Sequence, residues 1–169
     1  MSAKTLILVR HAKSSWKDES LADIDRPLNK RGQRDAPEMG RRLAVSLKQA
    51  GHVPDLLLCS TAVRACLTAT CLAEALGFSE NDITISDELY GAHAEDILQQ
   101  VRAFPADISC AIVVGHNPTM TDLANQFSKT EIDNVPTCGI LTVQMADWLH
   151  VSDGWLTDFD FPKKPVDSV

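Results

Sequence analysis

Near its start the chain reads Thr5-Leu6-Ile7-Leu8-Val9-Arg10-His11, an unbroken apolar run that ends abruptly in two basic side chains. A continuous apolar run of this length is typical of a strand that is buried on both faces of a sheet. It has no small-residue cleavage site, so we interpret it as a strand rather than a signal peptide. Because ligands of open α/β sheets bind beyond the carboxyl ends of the strands, Arg10 and His11 are the first candidates for a functional site.

Further apolar segments alternate with helical patterns along the chain. This alternation predicts an α/β three-layer sandwich, in which a central, mostly parallel sheet is flanked by helices and no large lid is inserted. The predicted strands are Leu6–Val9, Leu56–Cys59, Ile83–Ile85, Cys110–Val114 and Ile140–Met145, with a weaker one over Trp155–Phe161. The predicted helices cover residues 30–50 with a kink at Pro37, residues 62–76, and Ala94–Phe104, and a fourth starts at Pro118 with Asn117 as its N-cap.

Length, charge and cysteine usage limit the class of protein. The 169 residues fit one domain, which we expect over residues 1–162, followed by a short C-terminal tail over residues 163–169. The net charge of −7 argues against general binding to nucleic acid or to an anionic membrane, and no apolar run is long enough to span one. Five cysteines without paired spacing predict reduced thiols and a cytoplasmic location, and the sequence does not indicate the oligomeric state.

Basic and imidazole side chains follow three of the predicted strands. Arg10 and His11 follow the first strand, Arg64 comes shortly after the second, and His116 follows the Cys110–Val114 strand. Because the carboxyl ends of parallel strands share one edge of the sheet, we expect these side chains to converge. Phosphoryl transfer needs rigid cationic donors around three equatorial oxygens and an in-line nucleophile, which this set of residues supplies.

Arg10-His11-Ala12 resembles the Arg-His-Gly signature of the histidine phosphatase superfamily, whose fold is called phosphoglycerate mutase-like. The resemblance extends over nearly the whole chain, through Asp25–Asn29 with Gly32, Ser60–Arg64 and Gly115–Pro118. The short length and the Arg-Pro-Leu loop are most similar to the SixA-type phosphohistidine phosphatases, which lack the long lid insertions of the members that act on sugar phosphates.

The resemblance implies a role for each matching residue. His11 would be the nucleophile, accepting the phosphoryl group on a ring nitrogen and passing it to water. Imidazole can attack at neutral pH because its unperturbed pKa is about 6.5, and neighbouring cations should favour its neutral form. The residues that would hold the phosphoryl oxygens and neutralise charge in the transition state are Arg10, Arg26, Arg64 and His116, with Ser14 and Asn117 as further phosphate contacts.

Two positions depart from the family pattern. Ala12 replaces the third signature residue, which matters if the backbone there needs a positive φ. Lys17 stands where the mutase branch usually has asparagine, so mutase-like substrate contacts are not expected. We interpret Lys13 and Lys17 as exposed and solvated, with contact to an acidic partner surface as the alternative.

The general acid is open at the level of sequence. Many superfamily members use a carboxylate after the third strand to protonate an alcohol leaving group, and the candidates here are Asp87 and Glu88. The spacing to Gly91 favours Asp87, whereas residue identity favours Glu88. A phosphohistidine substrate has a reactive P–N bond that needs less acid assistance, and in that case neither carboxylate would be essential.

The sequence therefore predicts a metal-independent phosphatase without a cofactor, acting through a phosphohistidine intermediate, with a phosphorylated protein that carries phosphohistidine as the favoured partner. A small phosphate ester is the alternative substrate, and a non-catalytic module that binds phosphate or phosphoprotein is the alternative class of protein. A cysteine phosphatase is disfavoured because only four residues separate Cys59 from Arg64 and none of them is glycine, so Cys59 is interpreted as a core thiol. The histidines show no HxH or HExxH spacing for a metal site.

Overall fold

A mixed six-stranded sheet forms the centre of the protein in the computed structural model, which describes residues 3–164. The strands in chain order are β1 (Lys4–Arg10), β2 (Leu56–Ser60), β3 (Thr84–Ser86), β4 (Cys110–Gly115), β5 (Ile140–Met145) and β6 (Trp155–Asp160). The α-helices of the described residues are α1 (Lys30–Ala50), α2 (Val63–Leu76), α3 (Ala94–Arg102) and α4 (Thr119–Phe127). None of these helices is both long enough and apolar enough to cross a membrane.

The strand order is β3-β2-β4-β1-β5-β6, and the first four of these strands are parallel. β5 runs antiparallel to β1, and β6 runs antiparallel to β5. In the β1–β4 register Arg10 lies opposite Gly115, so the residues that follow them, His11 and His116, leave the sheet side by side. The predicted α/β sandwich with a mostly parallel central sheet is confirmed.

The apolar run of β1 is buried on both faces, as its sequence predicts. Ile7 and Val9 pack into the core beneath α1 and α2, whereas Leu6 and Leu8 pack into the core beneath α3 and α4. Residues 6–9 have no exposed surface. Burial of a Leu or Ile side chain stabilises a fold by about 1.5–3 kcal/mol, so this strand fixes the position of the two residues that follow it.

Element boundaries differ from the predicted ones by one or two residues. α1 covers residues 30–50 as predicted and continues through Pro37, with the side chain of Asn29 accepting a hydrogen bond from the Gly32 N–H at 2.9 Å. α4 begins at Thr119 rather than at Pro118, although Asn117 still accepts the Thr121 N–H at 3.2 Å. Of the predicted tail, residues 165–169 lie outside the described residues.

Candidate active site

The carboxyl edge of the sheet encloses a cavity of about 480 Å³, here called the edge cavity. β1 places Arg10 and His11 in its wall, β4 places His116 there, and the first turn of α2 places Arg64 there. Arg26 reaches the same cavity from the loop before α1. The topology thus brings together residues that are up to about a hundred positions apart. The remaining lining residues are Lys13, Ser14, Trp16, Asp23, Tyr90, Gly91, Asn117 and Thr137.

The His11 ring is held in one tautomer by its hydrogen bonds. Its Nδ1 lies 2.7 Å from the carbonyl oxygen of Ala12, which can only accept, so Nδ1 carries the proton. Its Nε2 then carries the lone pair, which accepts the Nε–H of Arg64 at 3.3 Å. The side chain is buried and lines the edge cavity, and its Nε2 is unprotonated.

Burial keeps both histidines of the site uncharged. Desolvation lowers the pKa of His11 from 6.5 to about 3; the Ala12 carbonyl opposes this, while His116, Arg64 and Arg10 add to it by repulsion. Burial also lowers the pKa of His116 to about 4, and Arg64 contributes to the lowering. The two ring centroids are 5.1 Å apart, and Nε2 of His116 lies 2.8 Å from Oγ of Ser60. At pH 7 the site therefore contains two neutral imidazoles beside fixed guanidinium groups.

Each guanidinium is anchored by protein acceptors. Nη1 of Arg64 donates to the backbone oxygen of Asp23 at 2.6 Å, and Nη1 of Arg26 donates to Oγ of Ser14 at 3.0 Å. Nη1 of Arg10 donates to a backbone oxygen of the loop before β5 at 2.9 Å. Anchored donors of this kind can bind anionic oxygens without being reorganised, which is the condition for stabilising charge in a transition state.

Asp23 joins two of these arginines, and the sequence patterns did not identify it. Its Oδ1 accepts from Arg26 at 2.9 Å, and its Oδ2 accepts from Arg64 at 3.0 Å and from the Tyr90 hydroxyl at 2.5 Å. The Tyr90 hydrogen bond, followed by those from the two arginines, holds the pKa of the carboxyl well below its usual range. Asp23 is thus a permanent anion among the cations of the edge cavity.

Comparison with known proteins places this geometry in a family. The model of the histidine phosphatase superfamily (branch 1) matches residues 6–102, more than half of the chain. The chain belongs to the histidine phosphatase superfamily. The predicted resemblance is therefore confirmed, and with it the general class of phosphatase.

Individual relatives agree with this membership. An uncharacterized chloroplastic protein of Arabidopsis thaliana is 34% identical over 150 residues, which are 84% of this chain and 66% of the plant protein, just under two thirds of its length. An uncharacterized protein of Mycobacterium tuberculosis is 32% identical over 92% of this chain and 100% of its own length. Among solved structures, a candidate phosphohistidine phosphatase SixA from Agrobacterium tumefaciens is 28% identical, with a TM-score of 0.77 over 96% of this chain and 100% of that chain.

The family's signature glycine is not needed at Ala12. Among the described residues, the non-glycine residue with positive φ is Cys138, so the backbone at Ala12 imposes no strain on a methyl group. The Ala12 side chain is buried, and its N–H donates to Oγ1 of Thr68 at 3.0 Å. Alanine therefore serves in this member of the histidine phosphatase superfamily as a packed core residue next to His11.

Cys138 contacts the backbone of the signature residues Arg10 and His11. Its φ of 61° is unusual for a residue with a side chain. Its N–H is directed at the backbone oxygens of both Arg10 and His11, at 3.0 and 3.1 Å. This N–H thus fixes the point at which β1 ends, which no periodicity in the sequence indicates.

Trp16 extends the cavity outward. Its ring is 69% exposed, and the guanidinium carbon of Arg26 lies 3.5 Å from the ring centroid. Such cation–π stacking contributes about 0.5–1 kcal/mol at exposed sites, and it orients Arg26 from the solvent side. The exposed face of the indole is left as an apolar surface at the cavity mouth.

The two carboxylates considered as general acids are not brought to the edge cavity. Asp87 and Glu88 lie in the short 3-10 turn Asp87–Leu89 after β3, where both are exposed. The turn buries Leu89 and leads to Tyr90, which lines the cavity while the two acidic side chains face solvent. Neither carboxylate lines the edge cavity, and a role for either of them as general acid stays a prediction.

The remaining predicted residues are placed as follows. Ser14 lies in the edge cavity, where its hydroxyl accepts a hydrogen bond from Arg26. Asn117 also lines the cavity, and its amide donates to Asn134 at 3.0 Å and to a neighbouring backbone oxygen at 3.1 Å.

Cys59 has no exposed surface, and burial followed by its neighbour Cys66 raises the pKa of its thiol to about 12. The interpretation of Cys59 as a core thiol is confirmed. Within residues 3–164 no three metal-ligating side chains gather in one place.

Proposed function

We propose that this protein hydrolyses phosphohistidine on other proteins through a phosphoryl intermediate on Nε2 of His11. In the first step Nε2 forms a bond to phosphorus while the P–N bond of the substrate breaks, and the substrate imidazole leaves as a neutral ring because its other nitrogen already carries a proton taken from solvent. In the second step water forms a P–O bond, the bond to Nε2 breaks, and inorganic phosphate is released with His11 restored.

The observation that carries the proposal is the state of His11. Nδ1–H is fixed on the Ala12 carbonyl, and Nε2 is unprotonated, its lone pair accepting a long hydrogen bond of 3.3 Å from Arg64 that a phosphoryl group would have to displace. Because the pKa of His11 is lowered to about 3, this nitrogen is an available nucleophile throughout the neutral range. A module that only binds phosphate has no need of an unprotonated nitrogen at this position.

The guanidinium groups of Arg10, Arg26 and Arg64 supply the electrostatic part of the reaction. They line the same cavity as His11 and can donate hydrogen bonds to the equatorial oxygens of a phosphoryl group. His116 is neutral and can donate one hydrogen bond to the same group. No step in this scheme requires a metal ion.

The acidic groups of the edge cavity favour a substrate whose phosphate is held by a P–N bond over one whose phosphate is held by a P–O bond. Among the described residues that line the edge cavity, the one carboxyl group is that of Asp23. Its pKa lies well below the usual range, so it is ionised and has no proton to give to a leaving group. An alkoxide needs such a proton far more than an imidazole does, so the site fits phosphohistidine better than an alkyl phosphate.

Rapid-quench trapping tests the intermediate. The protein is mixed with a ³²P-labelled phosphohistidine protein, and the phosphate on this chain is characterised; we expect acid-labile, base-stable label that is lost in His11→Ala. His150→Ala is the matched control, because His150 is exposed and does not line the edge cavity. EDTA should leave turnover intact, and vanadate should abolish it. Turnover that persists in His11→Ala without trapped label would refute the intermediate.

Substrate choice is tested separately by comparing kcat/KM for the phosphohistidine protein, a sugar phosphate and p-nitrophenyl phosphate. We expect the phosphohistidine protein to be preferred by at least a hundredfold. A sugar phosphate turned over as well as the protein would favour the alternative, a phosphatase for small esters.

A further inference from the structure

A second and larger cavity adjoins the edge cavity along the first three turns of α1. This cavity, here called the α1 groove, has a volume of about 710 Å³ and shares Arg10, Lys13 and Thr137 with the edge cavity. The two cavities are therefore direct neighbours, and a ligand whose phosphoryl group lies beside His11 can extend over the shared residues towards the groove. The proposed reaction makes no use of this space.

The groove is basic on an acidic protein. Two carboxylates line it, those of Asp35 and Glu38, although the chain as a whole carries a net charge of −7. An excess of positive charge at one place on such a surface raises the local concentration of anionic ligands. The cationic residues that line the groove are Arg10, Lys13, Arg31, Arg34, Arg41 and Lys163.

Helix stability does not account for these cations. Positive charges near a helix N-terminus are unfavourable because the positive end of the macrodipole lies there. Yet α1 has Lys30, Arg31 and Arg34 within its first five residues and no acidic residue in its first turn. The arrangement costs stability locally, and a bound anion would reverse that cost.

Two like charges also meet at the junction of the two cavities. Burial lowers the pKa of Arg10, and repulsion from Arg31 lowers it further, so the two guanidinium groups lie close enough to interact. The buried Nε of Arg10 has no hydrogen-bond partner among the described residues. An anionic group at the junction would relieve the repulsion.

The spacing of the cations indicates the shape of the ligand. In the edge cavity three guanidinium groups line the same small space as His11. In the α1 groove Arg31, Arg34 and Arg41 follow one another along a helix face, and ten residues of α-helix span about 15 Å. A row of this length matches several carboxylates on an extended chain better than one more phosphate.

We propose that the α1 groove binds an acidic segment of the protein that carries the phosphorylated histidine. The inference rests on the proposed function and specifies the partner: acidic side chains lie beside its phosphohistidine. Within the groove, Asp35 pairs with Arg34 at 3.2 Å and Glu38 pairs with Arg41 at 2.6 Å. The Arg41–Glu38 pair is exposed on both sides and therefore weak, and in the Arg34–Asp35 pair the guanidinium group is exposed although the carboxylate is buried, so both guanidinium groups can reach an incoming carboxylate. Pro136 and Phe161 supply apolar surface for the rest of the segment.

The test compares two phosphohistidine peptides of equal length, one with four Glu residues beside the phosphohistidine and one with four Gln. We expect the wild-type protein to cleave the Glu peptide with a kcat/KM about tenfold higher at low salt, and the preference to shrink as salt is added. Arg34→Glu with Lys163→Glu should abolish the preference. Both residues are exposed, and neither lines the edge cavity, so turnover of phosphoramidate should be unchanged.

Lys48→Glu with Lys129→Glu is the matched control. It changes the net charge by the same amount at two exposed lysines that do not line the α1 groove, and it should keep the preference for the Glu peptide. Equal cleavage of the two peptides by the wild type, or the same loss of preference in the control, would overturn the proposal. So would a small bisphosphate that the wild type prefers to both peptides and that depends on Arg34 and Lys163.

Failure of the proposed function gives a different pattern. If neither peptide is cleaved while phosphoramidate is, the assignment of phosphohistidine substrates is wrong, and the groove is then tested by fluorescence anisotropy with the unphosphorylated Glu peptide. Binding that disappears in Arg34→Glu with Lys163→Glu but persists in the lysine control supports an acidic ligand. Absence of binding to the wild type refutes it.

Discussion

Acidification is expected to leave His11 uncharged far below the pH at which a solvated imidazole takes up a proton. The pKa of His11 is lowered from 6.5 to about 3, chiefly by burial. At 1.36 kcal/mol per unit, this shift corresponds to a preference for the neutral ring on the order of 5 kcal/mol. At pH 5 about 99% of His11 would be neutral, against about 3% for an unperturbed imidazole.

The same shift has a signature in stability. The unfolded chain binds a proton at His11 below about pH 6.5, whereas the folded protein does so only near pH 3, so the unfolded state binds more protons between these values. The contribution of His11 to the free energy of unfolding should therefore be complete above pH 6.5 and should be lost progressively as the pH is lowered towards 3. At pH 5 the loss from His11 amounts to roughly 2 kcal/mol. His116, with a pKa of about 4, should add a loss of similar size.

Urea unfolding at pH 7.5 and pH 5 measures the effect. Replacement of His11 by Asn removes the titrating group, so the wild type should lose about 2 kcal/mol more than His11→Asn between the two pH values. NMR titration of the ring carbons, assigned with His11→Asn and His116→Asn, gives the pKa values directly. A His11 ring that titrates between pH 6 and 7, or equal losses in wild type and His11→Asn, would refute the assignment of a buried neutral nucleophile.

Three substitutions test the surroundings of His11. Asp23→Asn should lower kcat about tenfold, because Arg64 loses the carboxylate that orients it. Inorganic phosphate should inhibit this variant severalfold more tightly, because a negative charge has left the site, and unchanged inhibition would contradict the reasoning. Gly32→Ala would place a Cβ 2.3 Å from the carbonyl oxygen of Lys13 and should cost about 1–3 kcal/mol in urea unfolding; a neutral result would mean that this contact can open freely. Cys59→Ser should retain turnover at a stability cost of about 1–3 kcal/mol, whereas loss of turnover in a folded variant would revive a cysteine mechanism.

The centre of the sheet could be predicted from the sequence because the strands β1 and β4 are buried on both faces. A strand such as β1 needs apolar side chains at successive positions, and this requirement leaves a continuous run in the sequence. The ends of elements depend on single hydrogen bonds rather than on periodicity. The start of α4 at Thr119, one residue after the predicted start, is an example: the Asn117 side chain reaches Thr121 from just outside the helix.

The candidate site could be predicted in part for a related reason. Residues that directly follow a strand inherit its register, so His11 and His116 were expected to meet, and their ring centroids lie 5.1 Å apart. Asp23 and Tyr90 reach the cavity from irregular segments, whose course depends on tertiary contacts and leaves no pattern in the sequence. The carboxylates Asp87 and Glu88 were favoured by position after β3, but a 3-10 turn exposes them.

The charges of the edge cavity are opposite in sign to those of the group it is proposed to bind. The side chains of Arg10, Lys13, Arg26 and Arg64 with the carboxylate of Asp23 leave a net charge of +3, and a phosphoryl group carries about −1.5 to −2 at neutral pH. A protonated His11 would add a further positive charge and would also lose the lone pair that the proposed reaction needs. Burial of the ring prevents protonation without adding a further charge, because desolvation is the largest cause of its lowered pKa. The depth of His11 at the end of β1 is therefore as much a part of the proposed mechanism as the arginines around it.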